Sequence, residues 1–120
     1  MKKIEVGMMV RSDRWGIGII SVINSRQQVV YAKYNTDSLP IAHRMESDTT
    51  QSATHDLIEL IQVGDYVNGE LVVETVYASD EITKRLVSLS GACFWEEDIE
   101  SVLTKEQYEA NCFHVKGENK

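Results

Sequence analysis

The sequence lacks several features that would assign it to a common class. It has no apolar run approaching the roughly 20 residues that a membrane-spanning helix needs. Lys2 and Lys3 are followed by no apolar core, so a secretory signal is not expected. No Gly-Lys-Ser/Thr triplet is present, which argues against a P-loop nucleotide site. We therefore expect a cytoplasmic protein that does not bind a membrane.

Cysteine and histidine are also scarce. Cys93 and Cys112 have no metal-ligand spacing, and a reducing cytosol disfavours a disulfide between them, so we expect two partly buried free thiols. His43, His55 and His114 are widely scattered along the chain. The sequence therefore predicts no metal site and no cofactor.

Proline occurs once, and leucine is much rarer than the β-branched residues: Val and Ile number 23 against seven Leu. β-branched side chains pack well on pleated surfaces. Short runs such as "GIISVIN", "QQVVYAKY" and "ELVVETVYA" are bounded by Gly, Asn, Ser or Asp, as strands usually are. This pattern predicts an all-β fold.

Two segments depart from the strand pattern. "LTKEQYEAN" offers Thr104 as an N-cap with Gln107 three residues later, which predicts a short helix at about 104–111. The stretch "ESDTTQSATHD", residues 46–56, has Ala53 as its sole apolar residue. We expect this stretch to be an exposed loop between two strands.

The net charge of −7 is unevenly distributed. Residues 1–61 contain seven basic and seven acidic residues, whereas residues 62–120 contain five basic and twelve acidic residues. An acidic surface repels phosphates and favours basic protein partners. Direct binding of nucleic acid by the second half is therefore not expected.

An internal repeat divides the chain. "EVGMMV" starts at Glu5 and "QVGDYV" starts at Gln62, and both contain Val-Gly-x-x-Val, a common start of a small β-barrel. Each unit ends in an Asp-led apolar run that we predict to be its closing strand, "DLIELI" at 56–61 and "DIESVL" at 98–103. We predict two tandem five-stranded units, residues 1–61 and residues 62–120, the second acidic and carrying the helix. One continuous β-domain is the alternative.

Gly16 and Gly18 in "RWGIGIISVI" do not fit a dinucleotide-binding loop, because Ser21 replaces the third glycine and β-branched residues follow instead of a helix. They fit a bend at a strand entry. The segment "EVGMMVRSDRWGIGIISVI" resembles the opening of the Tudor-like, SH3-like barrel at the C-terminus of UvrD-type helicases, whose relatives contact RNA polymerase. The residues that carry this resemblance are Val6, Gly7, Val10, Arg14, Trp15, Gly16 and Gly18. The resemblance implies an SH3-like barrel for the first unit.

A second resemblance covers more of the chain. "DLIELIQVGDYVNG" and "EEDIESVLTKEQYE" are similar to small uncharacterised proteins from phages and prophages of Gram-positive bacteria. The match includes Ile99, Val102 and Leu103 followed by Thr-Lys-Glu-Gln-Tyr at 104–108. This resemblance implies a phage or prophage origin and a location in the host bacterial cell, and it brings no catalytic residues.

No arrangement of residues indicates catalysis. The acidic run at 96–100 is typical of a solvated edge, since acid–base pairs normally need burial or a partner. Neither cysteine lies in a basic or helix-N-terminal setting that would activate it. We therefore expect that the protein is not an enzyme.

Binding features are stronger. Arg11, Arg14 and Trp15 form a basic–aromatic patch, Tyr34 is a further aromatic in the first half, and Trp95 precedes a run of acids. The predicted partner-binding residues are Arg11, Arg14, Trp15, Tyr34, Trp95, Glu96, Glu97, Asp98 and Glu100.

We expect a non-catalytic phage protein that binds and modulates a host protein, such as a nucleic-acid-handling or defence complex. In an anti-CRISPR-like version of this hypothesis, the four acidic residues imitate phosphates and inhibit that complex. The alternative is a barrel associated with nucleic acid or RNA polymerase that acts through Arg11, Arg14 and Trp15. Exposed edge strands make either a monomer or a homodimer compatible with the sequence.

Overall fold

The computed structural model describes residues 3–34, 39–77 and 83–111, and the fold of these residues is mostly β. Within them, nine strands form two antiparallel sheets, and one short helix closes the described part of the chain. The predictions of a β-rich fold and of a short C-terminal helix are therefore confirmed.

The first sheet has four strands, each paired with the next one along the chain. Val10, Ile20 and Val30 are completely buried on its inner face, where they form a hydrophobic core with Ala32 and Ala53. Its strands are β1 (Met9–Ser12), β2 (Gly16–Asn24), β3 (Val29–Lys33) and β4 (Ile41–Arg44).

The strands of the second sheet are β5 (Tyr66–Val67), β6 (Glu70–Tyr77), β7 (Lys84–Ser88), β8 (Cys93–Phe94) and β9 (Val102–Leu103). Their order in the sheet is β8-β7-β6-β5-β9. Val67, Val72 and Leu86 form the centre of a second core. Cys93 lies on the edge strand β8 with its thiol exposed rather than partly buried as predicted, because its neighbour Phe94 is the residue that packs against the core.

The two Val-Gly turns have the same backbone geometry. Gly7 has φ 97° and Gly64 has φ 102°, a region that side chains with a Cβ rarely adopt. In each turn, the amide that follows the glycine donates to the carbonyl three residues earlier. These hydrogen bonds join Met8 to Glu5 at 3.2 Å and Asp65 to Gln62 at 3.1 Å.

The correspondence continues into the next strands. The amide of Gly7 donates to the carbonyl of Ile20, and the amide of Gly64 donates to that of Val72, both at 2.9 Å. Directly after Ile20 and after Val72, the pairing with the next strand shifts by one residue. Equivalent turns, pairings and bulges therefore follow one another in the same order in both halves.

The closing run of the first unit differs from the prediction, whereas that of the second unit contains strand β9. The run at 56–61, predicted as a strand, forms a 3-10 turn at Leu57–Leu60. Leu60 and Ile61 are both buried although they are neighbours, which the alternation of a half-buried strand does not allow. In the second sheet, β5 pairs with β9. The corresponding pairing in the first sheet is a single bridge between Met9 and Thr54. The first sheet therefore has four strands and a bridge rather than five strands.

The side chains of this 3-10 turn belong to the second core. Ile58 and Ile61 are buried in the cluster of Val67, Val72 and Leu86, although residues 1–61 were predicted as the first unit. The change from one core to the other therefore falls between Thr54 and Leu57.

The polar stretch at 46–56 is not the exposed loop that its composition predicts. It contains helix α1 (Asp48–Gln51), whose N-cap residue Ser47 accepts a hydrogen bond from the amide of Thr50. Thr50 is completely buried and its hydroxyl donates to the carbonyl of Arg44 at 2.8 Å. Capping satisfies the backbone of a stretch with almost no apolar side chains, and small residues such as Ala53 can then approach the sheet.

Helix α2 (Lys105–Asn111) confirms the N-cap prediction. The hydroxyl of Thr104 accepts a hydrogen bond from the amide of Gln107 at 3.3 Å, and the ring of Tyr108 stacks on that of Tyr66 with centroids 4.9 Å apart. The thiol predicted at Cys112 and the histidine at His114 lie outside the described residues. Neither α1 nor α2, the helices in the described ranges, has the length and apolar character that crossing a membrane requires.

Candidate functional site

The turn between β1 and β2 presents Trp15 to solvent. Trp15 is 41% exposed, and the guanidinium of Arg14 lies 5.1 Å from the centre of its ring. The hydroxyl of Ser12 accepts hydrogen bonds from the amides of Arg14 at 3.1 Å and Trp15 at 3.2 Å. Gly16 adopts φ 85°, and the side-chain amide of Gln107 donates to the carbonyl of Arg14. The turn is therefore fixed on both sides of the exposed ring.

Tyr34 extends this aromatic surface. Its ring centroid lies 6.5 Å from that of Trp15 and 5.8 Å from that of His43, the second ring being nearly perpendicular. A Cβ on Gly18 would lie 2.6 Å from the Tyr34 ring, so glycine at 18 is what allows the ring to lie flat on the strand. Gly16 thus adopts a positive φ at the predicted bend. Gly18 instead allows the Tyr34 ring to lie close to the strand.

Burial determines the protonation of the Tyr34–His43 pair. Burial raises the pKa of Tyr34 to about 12, although a hydrogen bond with Ser12 opposes the change. Burial also lowers the pKa of His43. The Tyr34 hydroxyl lies 2.8 Å from Nε2 of His43. At neutral pH both groups are therefore uncharged, and the Tyr34 hydroxyl and Nε2 of His43 share one hydrogen bond.

An apolar groove of about 460 Å³ adjoins Tyr34. Its wall includes Val6 and Ile19, which are 58% and 53% exposed, and Lys33 lies at its margin. These exposed aliphatic side chains continue the aromatic surface. We call Val6, Arg14, Trp15, Ile19, Tyr34 and His43 together the Trp15 face.

Arg11 does not join this face, although the sequence analysis grouped it with Arg14 and Trp15. It is 8% exposed, and its two terminal nitrogens bind the carboxylate of Asp65 at 2.5 and 2.8 Å. It also donates to Glu106 at 2.8 Å and to the carbonyl of Leu60 at 2.9 Å. Burial alone would lower the pKa of Arg11, but the hydrogen bonds and charges of Asp65 and Glu106 raise it. Arg11 therefore joins the two sheets.

The carboxylate of Asp65 accepts hydrogen bonds from several segments of the chain. Besides Arg11, its carboxylate accepts hydrogen bonds from the amides of Gln62 at 2.7 Å and Lys105 at 2.8 Å. Asp65 is completely buried. Because Lys105 begins α2, the same carboxylate fixes the helix that carries Gln107 against the Trp15 turn.

A second surface surrounds Trp95. A groove of about 650 Å³ is lined by Trp95, Tyr77 and Ile58, together with the exposed acids Asp56, Glu59, Glu96 and Glu97. Glu96 accepts a hydrogen bond from the amide of Ile58 at 3.2 Å, which ties the turn after β8 to the 3-10 turn at 57–60. We call this surface the Trp95 groove.

The other two predicted acids have different surroundings. Asp98 accepts a hydrogen bond from the amide of Trp95 at 2.9 Å, so its carboxylate holds the turn that carries the tryptophan. The amide of Glu100 donates to the side chain of Asn68 at 2.8 Å, and the Glu100 side chain is exposed. Of the four acids, Glu96 and Glu97 line the groove.

The fold thus brings together two sets of predicted residues and adds others that the sequence did not indicate. Arg14, Trp15 and Tyr34 meet on one surface, and Trp95, Glu96 and Glu97 meet on another. His43 and Gln107 contribute through long-range packing, which local sequence patterns do not reveal.

Within residues 3–34, 39–77 and 83–111, no three side chains of His, Cys, Asp or Glu lie close enough together to hold a metal ion. The acids of the Trp95 groove are therefore spread over its wall rather than converged on a point. The chain matches no protein-family model, no curated protein and no solved structure.

Proposed function

We propose that this chain is a non-catalytic protein-binding module that docks on a partner protein through the Trp15 face. The observation that carries the proposal is the exposed Trp15, held on a turn that Ser12, Gly16 and Gln107 fix. A large aromatic side chain that is already ordered loses little conformational entropy on binding.

The surroundings of Trp15 support a protein partner. Val6 and Ile19 expose aliphatic surface beside Tyr34, and contiguous apolar surface on a small protein is typical of interaction sites. Arg14 and Lys33 add positive charge at the margins of this apolar surface. The partner segment that fits carries apolar side chains flanked by an acidic residue.

The nucleic-acid alternative has less support. Arg11 is buried in ion pairs with Asp65 and Glu106. Of the two arginines in the predicted patch, Arg14 is therefore the one at the surface. Binding of nucleic acid without sequence preference normally relies on several phosphate contacts. The Trp15 face offers few cations for that purpose.

We further propose that each half is an SH3-like barrel unit. Three observations support this: the matching Val-Gly turns, the bulges after Ile20 and Val72, and the pairing of a late segment with the first strand of each sheet. In this proposal the boundary between the units lies near residue 55, since Ile58 and Ile61 pack in the second core.

The phage origin and the role as an inhibitor of a host defence complex stay predictions of the sequence. In that version of the proposal, the partner is a nucleic-acid-handling protein of the bacterial host. The exposed side chains of Glu96, Glu97, Asp98 and Glu100 support a contact with a basic surface.

The experiment is affinity capture from a lysate of the bacterial host, followed by calorimetric titration of the captured protein after purification. Wild type is compared with Trp15→Ala and with the matched control Leu89→Ala, whose leucine is 73% exposed in the turn after β7. We expect Trp15→Ala to weaken binding by about tenfold or more, as an interface hot spot does, and Leu89→Ala to leave it unchanged.

Two outcomes would count against the proposal. Equal affinity of wild type and Trp15→Ala for the captured protein would remove the Trp15 face from the interface. Binding of duplex DNA at ~50 mM salt that is lost in Arg14→Gln would favour the nucleic-acid alternative instead.

A further inference from the structure

The Trp95 groove lies between the edge strand β8 and the 3-10 turn at Leu57–Leu60, which packs against the second core. Asp56 and Glu59 come from the segment that leaves the first sheet, whereas Trp95, Glu96 and Glu97 follow the edge strand β8. Tyr77, at the end of β6, is half exposed on the same wall. The groove is therefore formed by the second sheet together with the segment that leads into it from the first sheet.

The charge of the groove is negative. Of the residues that the structure describes, four acids and Lys84 line the groove. The ammonium of Lys84 is directed away from an incoming group, because it donates to the buried carbonyl of Ile61 at 2.8 Å. Burial lowers the pKa of Lys84, while the charges of Glu59 and Asp65 oppose the change. A positively charged ligand is the one that this wall attracts.

The aromatic part of the groove already receives a cation. The guanidinium of Arg85 lies 6.0 Å from the centre of the Trp95 ring, at the outer limit of a cation–π contact. The contact between Arg14 and Trp15 is closer, at 5.1 Å. A cation that lies closer to the Trp95 ring therefore has to displace Arg85.

We propose that the Trp95 groove binds an arginine or lysine side chain from a basic segment of a partner protein. The cation lies against the Trp95 ring, the carboxylates of Glu96 and Glu97 neutralise it, and Ile58 and Tyr77 cover its aliphatic stem. This inference rests on the proposed function, because it takes the partner to be a protein. It adds that the partner supplies a positively charged segment.

A segment of a protein is the occupant that the dimensions favour. The groove of about 650 Å³ is far larger than a single inorganic cation, and its carboxylates do not converge as metal ligands do. The wall combines aromatic rings and carboxylates, which suits a charged head on an apolar stem.

The experiment follows Trp95 fluorescence in the Trp15→Phe protein, so that the Trp15 face gives no signal. The probes are acetyl-Gly-Arg-Gly-Arg-Gly-amide, the same peptide with lysine, and the same peptide with uncharged citrulline. We expect saturable changes in emission with the arginine and lysine peptides and none with citrulline. Preference between the two charged peptides identifies the side chain that the groove selects.

Charge variants test which residues are responsible. Glu96→Gln/Glu97→Gln should weaken binding by about tenfold, whereas the control Glu46→Gln/Glu109→Gln, which removes the same charge from exposed positions elsewhere, should change it less than about twofold. Arg85→Gln should strengthen binding, since it removes the resident cation from Trp95. A gain of affinity cannot result from unfolding.

The inference is overturned if citrulline binds as well as arginine, or if both double variants weaken binding equally. It is also overturned if neither charged peptide changes the emission of a folded protein. Because Trp15 is absent from this protein, such a failure leaves the capture experiment on Trp15→Ala as a separate test of the proposed function.

Discussion

The guanidinium of Arg11 and the carboxylate of Asp65 form two hydrogen bonds, at 2.5 and 2.8 Å, between residues that lie 54 positions apart. Their side chains are 6% and 0% exposed. Arg11 belongs to the first sheet and Asp65 to the Val-Gly turn that opens the second sheet. The pair therefore connects the two halves at the base of the turn that exposes Trp15.

Removing one partner of this pair should strongly destabilise the protein. Arg11→Met leaves the buried carboxylate of Asp65 without its counter-charge, and we expect a loss of about 3–5 kcal/mol in the free energy of unfolding. Asp65→Leu should cost a similar amount. The double variant should cost clearly less than the sum, because it leaves no buried charge of the pair uncompensated. Urea denaturation of the four proteins measures this coupling.

The exposed pair of Arg44 and Glu46 provides the control. Their nearest charged atoms are 4.0 Å apart, and both side chains are more than two-thirds exposed. Arg44→Gln should change the free energy of unfolding by less than about 1 kcal/mol. Additive effects of the Arg11 and Asp65 substitutions would mean that the pair does not couple the two sheets.

Gly16 should tolerate alanine less well than Gly91 does. Both glycines have positive φ, at 85° and 93°, so alanine is strained at each by about 1–2 kcal/mol. A Cβ on Gly16 would also lie 3.1 Å from Cγ of Gln107, whereas a Cβ on Gly91 would meet nothing within 4 Å. We expect Gly16→Ala to lower the urea midpoint further than Gly91→Ala. Equal midpoints would show that Gln107 does not press on the turn.

Gly18→Ala should disturb Tyr34 specifically. The added Cβ would overlap the Tyr34 ring at 2.6 Å, and the strand backbone cannot give way without loss of pairing. We expect Gly18→Ala to destabilise the protein by about 1–3 kcal/mol, as overpacking does. In a Tyr34→Ala background the same substitution should cost much less. The same cost in both backgrounds would place the strain elsewhere.

Acidification should weaken the fold through His43. Burial lowers the pKa of His43 in the folded protein, so the unfolded chain binds the proton more tightly. The stability associated with neutral His43 is therefore present above about pH 6.5, the ordinary histidine value, and is lost as the pH falls below it. Protonation also places a positive charge on a half-buried ring that packs against Tyr34.

The measurement is urea denaturation of wild type and His43→Gln at about pH 7.5 and pH 5.5. Wild type should lose more stability between the two conditions than His43→Gln does. An identical loss in both proteins would show that His43 does not contribute to the pH dependence in this range.

Local patterns in the sequence predicted the parts of the fold that local physics controls. The two Val-Gly turns need positive φ at glycine, and the N-cap at Thr104 needs a hydroxyl three residues before an amide, so each is visible in a few letters. Trp15 was predictable as an exposed residue for the same reason, since it lies among charged and glycine residues.

Long-range pairing explains the errors. Arg11 looked like a surface cation because its neighbours in sequence are polar, yet Asp65 and Glu106, which bury it, lie far along the chain. The run at 56–61 has the composition of a strand, but it forms a 3-10 turn whose Ile58 and the following Ile61 pack in the second core. The sequence did not predict that Thr50 is buried, because hydrogen bonds to the backbone, rather than apolar side chains, allow this segment to pack against the sheet.

The most direct test of the account is whether the two sheets unfold together, because the Trp15 face depends on Asp65, Glu106 and Gln107 from the second half. Trp95→Phe leaves Trp15 to report on the first sheet, and Trp15→Phe leaves Trp95 to report on the second. In each variant, tryptophan emission and far-ultraviolet circular dichroism should follow one urea transition with a common midpoint. Two separate transitions, with Trp15 emission changing while the second sheet stays folded, would contradict it.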